Sequence, residues 1–264
     1  MEHETLIRLG VFAGLFVLLA ALEAVAPRRA RNLPRGGRWF TNAGIIVSST
    51  LLLRAMALGL PLLAVGAALD AEAQGWGLLN IVGWPYWVEF VVALLVLDLV
   101  IWAQHWVTHK VPLLWRLHRV HHADRDFDVT TALRFHPVEI ALSILLKIGV
   151  VYLLGPAAWA VVAFEVLLNG TAMFNHSNLK LPGWLDAAVR TVLVTPDMHR
   201  VHHSVHRDEH DSNFGFALSV WDRIFGTYRA QPREGHEGMT LGLEWQDERP
   251  ARLGWSLALP FFRK

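Results

Sequence analysis

The histidines of this chain occur in groups whose spacing suits metal coordination. Of the 14 histidines among 264 residues, two groups share the sequence HRVHH, at residues 118–122 and 199–203. His105 and His109 form a third group, four residues apart. Residues at i, i+3 and i+4 of a helix lie on one face, about 5 to 6 Å apart. Each group can therefore direct its imidazoles toward one point, although the spacing does not choose between iron, zinc, copper and nickel.

The predicted ligand set is too large for a single ion. With two isolated histidines added, the candidates are His105, His109, His118, His121, His122, His136, His176, His199, His202 and His203. A structural zinc site needs only four ligands and usually includes cysteine, whereas this chain has no cysteine. Three helical groups and two single histidines offer enough nitrogens for two ions, so the sequence predicts a binuclear centre.

The composition around these groups is that of a membrane protein. Hydrophobic residues make up 53% of the chain, with 12 tryptophans and a mean hydropathy of +0.33, which is too apolar for a soluble domain of this size. The net charge of +1, without a basic patch interleaved with aromatics, argues against a nucleic-acid partner. Without cysteine the chain can form no iron–sulfur cluster and no C-x-x-C-H haem attachment. Redox chemistry would therefore need electrons from another protein.

Long apolar runs predict how the chain crosses the bilayer. Three of them, at residues 6–25, 43–69 and 86–104, are long enough to span. We interpret the first as a retained helix, because its acidic N-terminal flank and the arginines after it do not fit a signal peptide. A fourth run, at residues 140–174, is interrupted in its middle by Gly155 and Pro156, which is a turn signal and predicts a hairpin.

The expected architecture is an all-α polytopic membrane bundle, with about four transmembrane helices or three plus a hairpin. We expect a single integral-membrane domain over residues 1–264. The loop after the first run carries Arg28, Arg29, Arg31, Arg35 and Arg38, which the positive-inside rule places in the cytoplasm. Three crossings then bring His105 to the cytoplasmic side, and the hairpin returns His176 to the same side. All ten candidate ligands are thus expected in a cytosolic helical cap.

The order of the motifs resembles that of the sterol desaturase and fatty acid hydroxylase superfamily. The resemblance lies in DLVIWAQHWVTHKVPLLWRLHRVHHAD (98–124), RFHPVE (134–139), FNHSN (174–178), TPDMHRVHHS (195–204) and NFGFALSVWDRIFGTY (213–228). It covers about residues 87–230, over half of the chain. One departure is Trp106, where many relatives have arginine after the first histidine of the first box.

The resemblance implies an integral-membrane, non-haem di-iron oxygenase. Such enzymes use dioxygen and two electrons to hydroxylate or desaturate a lipid, and two zinc ions can replace the iron ions in a structure. The three boxes correspond to the catalytic ligands His105, His109, His118, His121, His122, His199, His202 and His203, and the two single motifs add His136 and His176 as further metal ligands. The chain shows no fused cytochrome, so a separate reductase, ferredoxin or cytochrome is the expected electron donor, and the lipid substrate is expected to enter from the bilayer.

Ligating histidines usually donate their second ring N–H to a carboxylate or a carbonyl. Asp98, two turns before His105, is the predicted partner; weaker alternatives are Asp124, Glu139, Asp197 and Asp222. His206 and His210 continue the third histidine group at i+3 or i+4 steps and could reach the metal site, although we favour a surface position for both. Asn213 and Trp221 are expected to stabilise the fold around the metal.

Two other functions stay open from sequence alone. A haem electron carrier would have isolated histidines deep in facing helices, whereas these are clustered at one membrane surface. A metal transporter or metal-storage protein would have polar residues along a path through the spans. The substrate stays open among sterols, fatty acyl chains, sphingoid bases, alkyl ether lipids and carotenoids, and the ligand spacing does not separate hydroxylation from desaturation.

Overall fold

In the computed structural model, which describes residues 4–59 and 63–262, all regular elements are helices. The α-helices, in chain order, are α1 (Glu4–Val25), α2 (Arg35–Gly59), α3 (Ala64–Gln74), α4 (Leu78–Val82), α5 (Tyr86–Lys110), α6 (Pro112–His122), α7 (Pro137–Leu154), α8 (Ala158–Asn175), α9 (Gly183–Val189), α10 (Pro196–His202), α11 (Arg207–His210), α12 (Val220–Ile224), α13 (Gly235–Gly238) and α14 (Leu253–Ala258). Three short 3₁₀ helices lie at Val129–Leu133, Arg249–Ala251 and Leu259–Phe261.

Five of these helices, α1, α2, α5, α7 and α8, are long and apolar enough to cross a bilayer, with spans of 18 to 25 residues. A span of this length matches the hydrocarbon thickness, since an α-helix rises about 1.5 Å per residue. The predicted polytopic all-α bundle is therefore confirmed, in the form of three long helices and a hairpin.

The hairpin forms where the sequence predicted it. Helix α7 ends at Leu154 and α8 begins at Ala158, with Gly155 between them at a φ of 65°. A side chain at Gly155 would also meet the carbonyl oxygen of Trp76 at 2.6 Å, so both the turn and the close approach of the α3–α4 connection require glycine. Helix α1 packs against α8, and α2 packs against α7.

The second apolar run is not one continuous helix, as residues 43–69 had suggested. Helix α2 begins earlier, at Arg35, and ends at Gly59, and the separate helix α3 follows from Ala64. Pro61 lies between them in the sequence, and proline cannot donate the backbone hydrogen bond that a continuing helix needs. Helix α3 packs on α7 and α8 through fully buried alanines, whose small side chains allow close helix packing.

The histidine motifs lie in short helices at one end of this bundle. Helix α6 follows α5 almost directly, with Pro112 at its first position, where a missing N–H costs nothing. Helix α10 likewise starts with Pro196, and the Thr195 side chain caps it by accepting from the Met198 N–H at 3.3 Å. At seven residues α10 is too short to be stable alone, so packing of its buried side chains maintains it.

Buried ion pairs between Arg38 and two aspartates connect this end of the bundle to α2. Arg38 on α2 donates to both carboxylate oxygens of Asp124, at 2.7 and 2.8 Å, and to Asp128 at 2.8 Å. All three side chains are buried. Because a bidentate pair fixes orientation as well as distance, the segment after α6 is held in register with the start of α2.

Candidate metal centre

The structure brings nine of the ten predicted ligands into two adjacent clusters. The five-histidine cluster contains His105, His109, His118, His122 and His202, and the four-histidine cluster contains His121, His176, His199 and His203. Within each cluster one nitrogen of every ring lies within 4.8 Å of the others. All nine side chains are buried, so each cluster is a closed set of nitrogen ligands with room for an ion.

The two HRVHH motifs divide between the clusters in opposite ways. In α6, the i and i+4 residues His118 and His122 join the five-histidine cluster, while His121 joins the four-histidine cluster. In α10 and its C-cap, the corresponding pair His199 and His203 joins the four-histidine cluster, and His202 joins the other. Each motif therefore contributes a pair to one centre and a single ring to its neighbour.

Distances between ring nitrogens fit coordination of metal. The Nε2 atoms of His105 and His118 are 3.0 Å apart, and the Nε2 of His176 lies 3.1 Å from those of His121 and His199. A metal bonded to imidazole nitrogens at about 2.0 to 2.1 Å separates neighbouring ligand nitrogens by roughly 2.8 to 3.4 Å. The contacts in both clusters thus have the spacing of adjacent corners of a coordination polyhedron.

Several ring nitrogens in the clusters are buried without a hydrogen-bond partner among the described residues. They include both nitrogens of His109, His122 and His203, and the Nε2 of His202. A buried polar atom without a partner costs free energy, which coordination to a metal ion would remove. Burial also lowers the pKa of His121, His122 and His203 well below its usual range, so the rings stay neutral, the form that binds metal. The residues present fit two metal ions.

Four of the nine rings are oriented by a hydrogen bond from Nδ1. His105 donates to the Phe214 carbonyl at 2.7 Å, and His202 donates to the Ser212 carbonyl at 2.7 Å. His176 donates to the Ala172 carbonyl at 2.6 Å, one turn earlier in the chain. His118 donates to Glu139 Oε1 at 2.6 Å. These bonds fix the tautomer that leaves Nε2 free to bind metal.

The carbonyls that accept from His105 and His202 belong to one irregular segment, residues 212–216. Asn213 adopts a φ of 52°, and its side-chain amide donates to the carbonyls of Met198 and Arg229 at 2.8 Å. Asp222 accepts from the backbone N–H groups of Phe214 and Gly215 at 2.8 and 2.9 Å. These contacts give the motif at residues 213–228 a positioning role, because they fix the position of the carbonyl oxygens that accept from His105 and His202.

The prediction that Asp98 orients a ligand directly is wrong. Its Oδ2 accepts from the Trp221 indole N–H at 2.8 Å and from the Leu218 N–H at 3.2 Å. Helix side chains tilt toward the N-terminus, so a carboxylate seven residues before His105 lies about two turns away from that ring. Asp98 therefore acts on the segment that carries Phe214 and not on a histidine.

Glu139, treated as a weaker alternative, is the acidic residue that forms a close hydrogen bond with a ligand ring. The others have different partners: Asp124 accepts from Arg38 and Thr131, and Asp197 accepts from Arg28. The sequence signal for Glu139 was its place in RFHPVE, at the start of a long helix. Asp211, not considered from sequence, lies 3.4 Å from His109 Nδ1.

His136 is not brought to either cluster. It caps α7, where its Nδ1 accepts from the Val138 N–H at 3.2 Å and its Nε2 donates to the Leu257 carbonyl at 3.2 Å. Both ring nitrogens are thus used, which corrects the prediction of a tenth ligand. The position just before Pro137 explains the difference, because this is a helix N-cap, where a side-chain acceptor stabilises the first turn.

The two extra histidines near the third box differ from each other. His206 is partly exposed and lies 3.1 Å from Glu234. His210 is buried, stacks on Trp115 with ring centroids 5.3 Å apart, and lies near His109 and His122. The surface prediction is therefore wrong for His210, which packs beside the five-histidine cluster without joining it.

An apolar cavity reaches the five-histidine cluster from the membrane-spanning part of the bundle. Its volume is about 300 Å³, and it is bordered by residues of α1, α2, α5, α7 and α8. Most of its lining is aliphatic or aromatic, and His105 and His118 form part of the wall. A lipid chain in this cavity would lie against the metal position without crossing water.

A second, more polar cavity, of about 680 Å³, borders the same cluster at His109. Its lining is rich in cationic and aromatic side chains, namely Lys110, Trp115, Arg116, Arg119, Arg207 and Trp245, with the acids Asp211 and Glu244. The five-histidine cluster thus lies between an apolar and a polar cavity.

A bundle of apolar helices with two buried all-histidine clusters at one end defines a membrane metalloprotein. A sequence profile of the fatty acid hydroxylase family matches residues 90–227, just over half of the chain. The chain belongs to this family, as the order of its histidine motifs predicted, and it is an integral membrane protein.

Characterised relatives act on lipids. The chain is 29% identical to the alkylglycerol monooxygenase of Homo sapiens over 141 residues, covering 52% of this chain and 29% of the relative. It is 29% identical to the ornithine lipid hydroxylase OlsE of Rhizobium tropici over 57% of this chain and 44% of the relative. Cholesterol 25-hydroxylase of Rattus norvegicus is 26% identical over 53% of this chain and 47% of the relative.

The chain matches less than half of the length of each of these three relatives. The matched part contains all nine clustered histidines and the segment at residues 212–216. No solved structure gives a significant match to the chain. The similarity therefore concerns the metal-binding core.

Proposed function

We propose that this protein is a lipid hydroxylase that inserts one oxygen atom of dioxygen into a C–H bond of a membrane lipid. Two electrons from a separate donor and two protons would reduce the other oxygen atom to water. The observation that carries the proposal is the position of the five-histidine cluster in the wall of an apolar, membrane-facing cavity. Both lipid hydroxylation in the relatives and the apolar lining favour a lipid over a soluble substrate. The names of the relatives suggest three candidate substrate classes: alkyl ether lipids, amino-acid lipids and sterols.

Nine histidines would hold two iron ions in this proposal, five at one ion and four at the other. His136 is left out, because its ring nitrogens are used at the start of α7. Two bound iron ions would activate dioxygen for insertion into an unactivated C–H bond. The all-imidazole donor set differs from the carboxylate-bridged sites of soluble di-iron bundles and requires the rings to be held by the protein.

The roles of the surrounding residues follow from their contacts. Four rings are held in the tautomer that leaves Nε2 free for metal. Their Nδ1–H groups donate to the carbonyls of Phe214, Ser212 and Ala172 and to the Glu139 carboxylate. Phe135 stacks on His121 at a centroid distance of 4.1 Å, and Phe135 and Phe216 line the cavity together with His105 and His118. Exclusion of water by these rings would protect a reactive centre from side reactions.

We place the histidine clusters on the cytoplasmic face. The arginine-rich loop between α1 and α2 lies at the same end of the bundle as the clusters, since Arg28 donates to Asp197 on α10. A loop with several arginines between two spans is retained in the cytoplasm. Fusion of a reporter after α8 or before α1 would test this orientation.

A separate electron donor would reach the centre through the polar cavity. The cavity ends at His109, and its cationic rim includes Lys110 and the largely exposed Arg207. A positively charged entrance increases the rate of association with an acidic partner. Acidic ferredoxins and cytochromes fit this charge, and lower rates of reduction at higher salt would support such docking.

The test of the proposal is lipid mass spectrometry combined with dioxygen uptake. Membranes that contain the full chain and a reducing system should convert a lipid to a product heavier by one oxygen atom. Incubation with ¹⁸O₂ should label that oxygen. The His121→Ala variant should form no product, and the His206→Ala variant, altered outside both clusters, should form it at the wild-type rate.

Other results would contradict the proposal. Binding of two metals without dioxygen use would indicate a metal-storage or transport protein, and a Soret band would indicate a haem electron carrier. A product lighter by two hydrogens, without added oxygen, would indicate desaturation. Full activity of His121→Ala would show that the four-histidine cluster is not required.

A further inference from the structure

A carboxyl oxygen at the apolar cavity has no hydrogen-bond partner among the residues that the structure describes. Glu139 is only 7% exposed and lines the cavity. Its Oε1 accepts from His118 Nδ1, whereas its Oε2 is buried and has no partner among the described residues. A buried carboxylate oxygen without a donor is costly, so a donor supplied by a ligand would be strongly favoured there.

A hydrogen-bond donor without a partner lines the same cavity. Gln104, which precedes the ligand His105, accepts through Oε1 from the Ser143 hydroxyl at 3.0 Å. Its Nε2 has no hydrogen-bond partner within the described part of the chain, and the residue lines the same cavity. Ser143 and Glu139 are four residues apart on α7 and share one helix face. The contact with Ser143 therefore holds the Gln104 amide close to the Glu139 carboxylate.

The serine and threonine hydroxyls that line this cavity are already bonded within the protein. Ser49 donates to the carbonyl of Ile45, Thr50 to that of Ile46, and Thr108 to that of His105. Helical serine and threonine commonly satisfy their hydroxyls in this way. These hydroxyls offer little to a ligand, and the Asn169 amide donates to the Glu165 carbonyl at 2.7 Å. The unpaired groups adjacent to the ligand histidines are therefore on Glu139, which bonds His118, and on Gln104, which precedes His105.

We infer that the substrate carries a hydroxyl group within a few bonds of the carbon that is oxidised, and that Glu139 and Gln104 bind it. A hydroxyl both donates and accepts, so it can donate to Glu139 Oε2 while it accepts from Gln104 Nε2. Since Glu139 bonds the ring of His118, a hydroxyl at Oε2 is one imidazole ring away from the metal position. The oxidised carbon must therefore lie near the polar end of the lipid, with the hydrocarbon tail in the apolar part of the cavity.

This inference rests on the proposed hydroxylation, but binding can be measured without turnover. The probes are 1-hexadecanol and its methyl ether, which differ in the hydroxyl proton and one methyl group. Purified full-length, metal-loaded protein in lipid nanodiscs is titrated with radiolabelled 1-hexadecanol, and the methyl ether competes. Wild type should prefer the alcohol by about tenfold, because the ether leaves Glu139 Oε2 unpaired and cannot donate.

Two variants remove one partner each. Gln104→Leu keeps the approximate size but loses the donor, and Glu139→Gln keeps an acceptor for His118 while it replaces the free oxygen by an N–H group. The preference for the alcohol should fall to about threefold or less in both variants. Ser49→Ala, in the same cavity with its hydroxyl bonded to backbone, should keep the wild-type preference. Measured metal content shows whether the clusters remain intact.

The position of the new oxygen in the product provides the second readout. With a hydroxylated lipid as substrate, fragmentation should place the inserted oxygen within a few bonds of the original hydroxyl. An equal preference in wild type and both variants, or an oxygen inserted far along the tail, would overturn the inference and leave the proposed hydroxylase activity intact. Selective binding of the alcohol with no oxidation of any lipid would instead contradict the proposed function alone.

Discussion

The two histidine clusters contain the same kinds of ligand but have different surroundings. The five-histidine cluster borders the apolar cavity through His105 and His118, and the polar cavity through His109. No member of the four-histidine cluster lines either of these cavities. Its rings instead pack against Phe127 and Phe135.

The clusters also differ in how their rings are oriented. In the five-histidine cluster, three of the rings are held by hydrogen bonds from outside, at Phe214, Ser212 and Glu139. In the four-histidine cluster only His176 has such a bond, at 2.6 Å to the Ala172 carbonyl. The accessible centre is thus held by polar contacts, and the enclosed centre is held mainly by packing. In the proposed function, substrate and electrons would therefore meet at the five-histidine cluster.

The largest effect is expected from removing single ligands. The four-histidine cluster has no spare ring, so His199→Ala should reduce bound metal from about two ions to about one and abolish activity. His109→Ala leaves four rings in its cluster and should retain nearly two ions, with reduced activity. Inductively coupled plasma mass spectrometry of purified protein measures both. Equal metal loss in the two variants would show that the clusters do not differ in redundancy.

Removal of the Glu139 carboxylate should weaken only the five-histidine cluster. Outer partners of ligating histidines typically contribute about 10- to 100-fold in metal affinity. We expect Glu139→Ala to lower the affinity of one site by that factor and to leave the other unchanged. Stepwise chelator titration distinguishes the two sites. A loss of both ions in parallel would indicate that the two sites are coupled.

A larger side chain in the apolar cavity should affect substrate without affecting metal. Ala172 lines the cavity beside Met173, and its carbonyl contact to His176 does not depend on the side chain. Ala172→Leu should raise KM for the lipid by about tenfold, since a few methylene groups are worth this much in a fitted pocket. Gly149→Leu, at a position on α7 with open space around it, is the matched control. Unchanged KM in Ala172→Leu would mean that the lipid binds elsewhere.

The smallest effect is expected at Asp98, two layers from the metal. Asp98→Asn keeps an acceptor oxygen for the Trp221 and Leu218 N–H groups but loses the charge. A hydrogen bond to a charged group contributes about 1 kcal/mol more than one to a neutral group, so thermal stability should fall slightly and metal content should stay near that of wild type. Loss of metal in Asp98→Asn would instead indicate that Asp98 helps to orient a ligand.

Much of the architecture was predictable, because it depends on local pattern. Apolar runs of bilayer length, and the Gly155–Pro156 break, gave the long helices and the hairpin, since helix length and turn residues are local properties. The main exception was the run at residues 43–69, where α2 starts eight residues earlier than the apolar pattern. Arg38 lies in that polar first turn, and its burial against Asp124 and Asp128 depends on tertiary contacts.

The histidine groups and their helical spacing could also be predicted from the sequence, because they depend only on neighbouring residues. Residues at i, i+3 and i+4 face one side of any helix, so HRVHH predicts a chelating group wherever the chain places it. Spacing could not show that the third ring of each motif joins the neighbouring cluster. That division depends on how α6 and α10 approach each other.

By itself, then, the sequence determined that this chain forms membrane-spanning helices and carries imidazoles in groups suited to metal binding. Only the tertiary structure decided which rings lie in the same cluster, that His136 caps a helix, and that Glu139 and not Asp98 bonds a clustered histidine. The physical reason is distance along the chain. His105 and its partner Phe214 are 109 residues apart, and His118 and Glu139 are 21 residues apart, so only packing of the helices brings them into contact.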